Sequence, residues 1–124
     1  MAELVYKQEV YDIVGACMEV HKQLGHGFLE AVYGDALVIE FEQRKISYNR
    51  EVKFDIDYKG QTLTHKYVAD FIVFNKIVLE IKAAAFIVDE HIAQCLNYVK
   101  ASGLRLGVIV NFGREKMEYK RLIY

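Results

Sequence analysis

The stretch Tyr67–Phe86, YVADFIVFNKIVLEIKAAAF, is almost entirely apolar and yet carries Asp70, Glu80 and Lys82. Asn75-Lys76 sits between two runs rich in Val, Ile and Phe, so the stretch reads as a β-hairpin. KIVLEIKAAAFIV is apolar on both strand faces, the pattern of a central strand covered on both sides. An unpaired charge there is costly, so the three ionisable residues form either a tight ion pair or a chemical site. Glu80 and Lys82 lie two apart and share a face. Asp70 joins them only if the register allows it. A two-residue turn at Asn75-Lys76 would turn Asp70 away from Glu80, whereas an odd-length loop or one bulge brings it back. Asn75 tolerates the left-handed backbone that such a loop needs. The expectation is therefore an odd loop or a bulge between Asp70 and Glu80.

Outward from the hairpin, NREVKFDIDYKG alternates: Val52, Phe54, Ile56 and Tyr58 face one way and Lys53, Asp55, Asp57 and Lys59 the other. That is a strand with one wet face. Lys59-Gly60 is a turn, and QTLTHKY begins the return strand. Further upstream, Val10, Ile13, Val14, Cys17, Met18 and Leu24 have helical spacing, and Gly25-His26-Gly27 ends that helix. FLEAVYGDALVIEFEQRK is a second helix, apolar over a wide arc. Gly34 inside it costs about 1 kcal/mol relative to alanine and marks a close contact. Downstream, VDEHIAQCLNYVKASG is a helix with Asp89 as N-cap and Gly103 past its end. LRLGVIVNFG and KMEYKRLIY are the last strands. The order α-α-β-β-β-β-α-β-β describes an α/β (α+β) mixed sheet flanked by helices, in one domain over residues 1–124.

Composition bounds the function. Of the 124 residues, 53% are hydrophobic and 27% charged, and the net charge is −1. There is no global basic field, so any nucleic-acid contact must come from a local patch. Candidates are Lys100, Arg105, Arg114, Lys116, Lys120 and Arg121. Cys17 and Cys95 lie in apolar helical surroundings and read as buried free thiols of a reducing compartment. No signal peptide or apolar run of membrane-spanning length is visible, so a cytoplasmic, membrane-free protein is expected.

Two carboxylates on adjacent strands supply hard oxygen ligands for Mg²⁺. A cation there acidifies water and stabilises charge developing on a phosphate, and a nearby amine adds to that stabilisation. The alternative is a buried ion pair with no chemistry. Gln94 and Tyr98, four apart on a helix, share one face. Glu30 opens the second helix, where the N-terminal dipole favours a carboxylate; its apolar neighbours suggest that it points inward.

Gly27-Phe-Leu-Glu30-Ala-Val-Tyr33 resembles the motif that names the GxxExxY proteins, small bacterial and archaeal members of the PD-(D/E)xK nuclease-like superfamily. The resemblance continues in order through YVADFIVFNKIVLEIKA, QCLNYVK, SGLRLGVIVNFG and KRLIY, over nearly the whole chain. It implies a restriction-endonuclease-like fold and a nuclease that uses Mg²⁺, or Mn²⁺, to hydrolyse DNA or RNA. Asp70 and Glu80 resemble the metal-binding acids, the Ile81 carbonyl a further ligand, and Lys82 the catalytic lysine. Glu30 resembles the extra acid on the preceding helix. Gln94 and Tyr98 resemble the QxxxY motif of the RecB-like and phage-exonuclease branches, which supports the lysine and the substrate phosphate. Ala69 stands where the motif's name has proline, a common departure. The superfamily also contains silent modules that bind a partner protein or nucleic acid, so that reading stays open, as does a homodimer.

Overall fold

A computed structural model describes residues 4–124. Two helices lead, α1 (Lys7–Leu24) and α2 (Glu30–Arg44), followed by β1 (Tyr48–Tyr58), β2 (Gln61–Val73) and β3 (Ile77–Lys82). Helix α3 (Asp89–Ser102) then crosses to β4 (Leu106–Asn111), and β5 (Glu118–Ile123) closes the chain. The five strands lie in the order β1-β2-β3-β4-β5. Neighbours are antiparallel except β3 and β4, which are parallel because α3 carries the chain back between them. This is the mixed sheet flanked by helices that the sequence implies. The order holds with one difference: the return strand begun at Gln61 and the first strand of the apolar hairpin are a single strand, β2. Nothing in QTLTHKYVADFIV breaks the extended backbone, so no turn divides it.

Strand β3 is buried on both faces. Ile77, Leu79 and Ile81 pack with Leu106, Val108 and Val110 of β4 against Val10, Ile13 and Cys17 of α1 and Leu37 and Phe41 of α2. Val78 and Ile109 look the other way, to Cys95 and Val99 of α3. The sheet is thus sandwiched, α1 and α2 on one face and α3 on the other, and the period-2 alternation of β3 puts Glu80 and Lys82 on the α3 side. Both cysteines are buried free thiols.

The expected odd loop is present. Val73 pairs with Ile77, leaving Phe74, Asn75 and Lys76 as a three-residue connection. Phe74 and Asn75 both have left-handed backbones, at φ 59° and 56°. Phe71 faces Leu79, and the same register carried one step further sets Asp70 opposite Glu80. The Lys59-Gly60 turn is also left-handed at both residues, the geometry that matches the twist of a hairpin. Helix α3 starts one residue earlier than expected: Val88, not Asp89, holds the N-cap position, and the Val88 N–H donates to His91 Nδ1 at 3.2 Å. Gly103 ends α3 as expected.

The long hairpin changes face near its middle. Arg50 and Phe71, which are paired, lie on the α2 side, Arg50 over the Phe71 ring. Val52 and Ala69, the next pair of the same parity, belong to the α3 side. Glu51, between them, has φ 55°, an outlier for a strand residue. Asp70 sits opposite this break.

Candidate active site

The β2–β3 ladder stops at Phe71 and Leu79, and beyond it carboxylates replace the backbone rungs. The Ile81 N–H donates to Asp70 Oδ2 at 2.7 Å, and the Asp70 N–H donates to Glu80 Oε1 at 3.4 Å. Glu80 is 5% exposed. Burial first, then the negative charge of Asp70 beside it, pushes the Glu80 carboxyl up to about 9. The same burial, with Glu80 and Asp70 close by, raises the Tyr98 phenol. Tyr98 packs edge-on against Tyr67 of β2, centroids 4.7 Å apart. Lys82 Nζ donates to Gln94 Oε1 at 3.4 Å, which ties the end of β3 to the first half of α3. Burial pushes the Cys95 thiol up to about 12, the value of an inert buried residue.

Asp70 also opens onto a cleft of about 270 Å³ on the α2 side, lined by Glu30, Ala31, Gly34, Arg50, Glu51, Asp70, Phe71 and Ile81. Glu30 stands exposed on the wall of this cleft rather than pointing into the core. Its loop is held by Tyr33, the last residue of the GFLEAVY segment. The buried Tyr33 ring stacks on Phe112 at 4.6 Å, and its hydroxyl donates to Gly25 O at 2.7 Å and accepts from Phe28 N at 3.3 Å. The structure therefore brings together Asp70, Glu80 and Ile81, sets Lys82 on Gln94 with Tyr98 nearby, and places Glu30 and Asp70 on the lining of one cleft. Among the described residues, no three His, Cys, Asp or Glu side chains gather closely enough to hold a metal ion.

Two cleft residues escape the sequence reading, Arg50 and Glu51. The even parity that Arg50 shares with Val52 and Phe54 points to the α3 side, away from this cleft, so alternation gives no signal for it. Of the six candidate basic residues, Arg121 is half-buried and spends its guanidinium on the Val5 carbonyl, and Arg114 bonds Glu118 and covers Phe86. Lys100, Arg105, Lys116 and Lys120 are exposed.

The loop after Lys82 is latched from β4. Asn111 is fully buried; its Oδ1 accepts from Ala84 N and Gly113 N, and its Nδ2 donates to Ala84 O and to Glu118 Oε1, each at 3.0 Å. Glu118 in turn accepts from Ile87 N at 2.9 Å. Gly113 lies so close that a Cβ would stand 2.3 Å from Ala84 O.

The donor set suits a hard divalent cation. Two carboxylates meet across a strand gap, one of them buried with its charge disfavoured, and a cation would relieve both burial and mutual repulsion. In solved structures, the crystal structure of SSO0001 has a similar fold, with a TM-score of 0.63 at 19% identity. The alignment covers 95% of this chain and 59% of that one, so this chain spans little more than half the length of that protein. Comparison with curated proteins returns no match. The profile of the PD-(D/E)XK nuclease superfamily matches residues 7–122, and the chain belongs to that superfamily.

Proposed function

We infer that this protein is a Mg²⁺-dependent nuclease of the GxxExxY kind, hydrolysing phosphodiester bonds of DNA or RNA. The observation that carries the reading is the facing pair Asp70 and Glu80, with Lys82 two residues beyond Glu80 and bonded to Gln94. Asp70, Glu80 and the Ile81 carbonyl would hold the metal, with Glu30 as an outer ligand on the cleft wall. When bound, such a cation acidifies water and stabilises negative charge on the phosphate. Lys82 places its ammonium where it stabilises charge growing on a non-bridging phosphate oxygen. Gln94 Oε1 holds that ammonium, and half-buried Tyr98, packed edge-on against Tyr67, flanks the site on the α3 side. The Ile81 N–H, donating to Asp70 Oδ2 at 2.7 Å, holds the Asp70 carboxylate toward β3.

The test is cleavage of single- and double-stranded DNA and RNA with Mg²⁺ or Mn²⁺, beside Glu80→Ala and Lys82→Ala. Activity that survives both substitutions would sink the assignment. A second reading, a silent nuclease-fold module that binds a partner protein or nucleic acid, is favoured by exposed Tyr58, Leu63 and Val68 on the β1–β2 hairpin. Absence of cleavage on every substrate, with no Mg²⁺ binding by calorimetry, would favour it.

A further inference from the structure

We propose that Arg50 binds a phosphate of the nucleic-acid backbone in the cleft, beside the Asp70–Glu80 pair. The identity of the anion rests on the nuclease reading; the presence of an anion-binding guanidinium does not. Among the described residues that line the cleft, Arg50 is the one cation, and it faces Glu30, Glu51 and Asp70. A phosphate entering so acidic a cleft needs a positive partner, and a guanidinium provides paired donors in the matching geometry.

The chain is built to deliver this side chain. Regular alternation would send Arg50 toward α3 with Val52 and Phe54. The left-handed Glu51 ends that alternation, and Arg50 lies on the α2 side instead. There its guanidinium stacks over Phe71 at 5.7 Å and crosses α2 at Gly34, where a Cβ would stand 2.5 Å from Nη2. A helix-interior glycine is unfavourable, and Gly34 makes room for Arg50.

Holding β1 to α2 is a weak explanation for the same contacts. Arg50 Nη1 bonds Asp35 Oδ1 at 2.7 Å, but the Asp35 side chain is 73% exposed, and exposed ion pairs add little stability. Nη2 reaches the Ala31 carbonyl only at 3.4 Å, and among the described residues Nε makes no hydrogen bond. Donors thus remain for a ligand.

The experiment measures binding of short single-stranded DNA and RNA oligonucleotides, labelled with a fluorophore, by anisotropy across a salt series. Ca²⁺ replaces Mg²⁺, and the full chain is used. Arg50→Ala should weaken binding by about tenfold. The slope of log affinity against log salt should fall by about 1, the signature of one lost phosphate contact. Arg50→Lys should recover part of both. Gly34→Ala, which leaves every charge in place and displaces the guanidinium, should weaken binding in the same direction. Asp35→Asn, which removes only the ion pair, should keep the wild-type salt slope. A melting temperature for each variant shows that it is folded, and Arg50→Lys and Gly34→Ala serve if Arg50→Ala is not. Wild-type affinity and slope in folded Arg50→Ala would overturn the proposal. So would a loss in Asp35→Asn equal to that in Arg50→Ala, which would mark a strut, or a wild-type protein that binds neither probe. Wild-type protein that shows the expected Arg50 dependence in Ca²⁺ but cleaves nothing in Mg²⁺ would overturn the nuclease reading and support the Arg50 assignment.

Discussion

Asp70 and Glu80 face each other where β2 and β3 stop sharing backbone hydrogen bonds, and each carboxylate accepts an N–H from the opposite strand, Ile81 to Asp70 at 2.7 Å and Asp70 to Glu80 at 3.4 Å. The side chains stand in for missing rungs of the ladder. They keep the strand gap both ordered and open.

This arrangement predicts a pH dependence of stability in the metal-free protein. The Glu80 carboxyl is raised from 4.5 to about 9 in the folded chain, so the folded state binds the extra proton between those values. Stability contributed by Glu80 is therefore full below about pH 4.5 and is lost as pH rises toward 9. Thermal melts in a chelator should show a falling melting temperature across that window. Glu80→Gln, neutral throughout, should flatten the fall; a slope as steep as wild type would contradict the buried-carboxyl account.

Divalent cation should reverse the effect. Mg²⁺ competes with the Glu80 proton, so its stabilisation should grow with pH and with concentration. Melting temperatures measured with and without Mg²⁺ at acidic and alkaline pH check this. Asp70→Asn should abolish the shift, and a full Mg²⁺ response in that variant would remove Asp70 from the ligand set.

The Lys82–Gln94 contact predicts a separation between rate and stability. Lys82→Ala should lower kcat by about 10²–10³ with a modest change in KM, as for loss of one charge-stabilising donor. Gln94→Ala should fall in the same direction by less, because Lys82 stays in reach. Both should melt within a few degrees of wild type, since their 3.4 Å bond is exposed. Steady-state kinetics alongside thermal melts decide it.

Tyr33 should act on Glu30 from a distance. Tyr33→Phe keeps the stack on Phe112 but removes the bonds to Gly25 and Phe28, at a cost of about 1 kcal/mol. Urea denaturation measures that cost. Mg²⁺-dependent cleavage should drop more than the lost stability explains, because the turn that presents Glu30 is loosened.

Asn111 carries the loop after Lys82. Asn111→Ala leaves part-buried backbone groups of Ala84 and Gly113 without partners and should cost about 2–3 kcal/mol in urea denaturation. Asn111→Asp, which cannot donate to Ala84 O and meets Glu118, should cost at least as much.

Much of this site is legible in the sequence because it is encoded locally. Apolar runs around Asn75 announce the hairpin, and the spacing from Asp70 to Glu80 demands the three-residue loop that Phe74–Lys76 forms. Glu80 and Lys82, two apart on one strand, share a face by the pleat alone. Gln94 and Tyr98 follow from the helical period, and Gly34 marks a close contact before its partner is known. The partner, Arg50, is not legible, because alternation assumes an unbroken pleat and the left-handed Glu51 ends it opposite Asp70. Nor is the Asn111 latch, whose partners come from the loop before α3, the β4–β5 connection and β5. The sequence by itself determined the helices, the order of the elements, and a hairpin carrying two carboxylates and a lysine, since each depends on periods of two or 3.6 residues, but it divided the unbroken strand β2 in two. Only the tertiary structure decided that Glu80 is buried with its proton, that Glu30 stands on the cleft wall, and that Arg50 crosses Gly34 into the cleft. Those depend on desolvation and close approach between segments far apart in the chain, which no local period records.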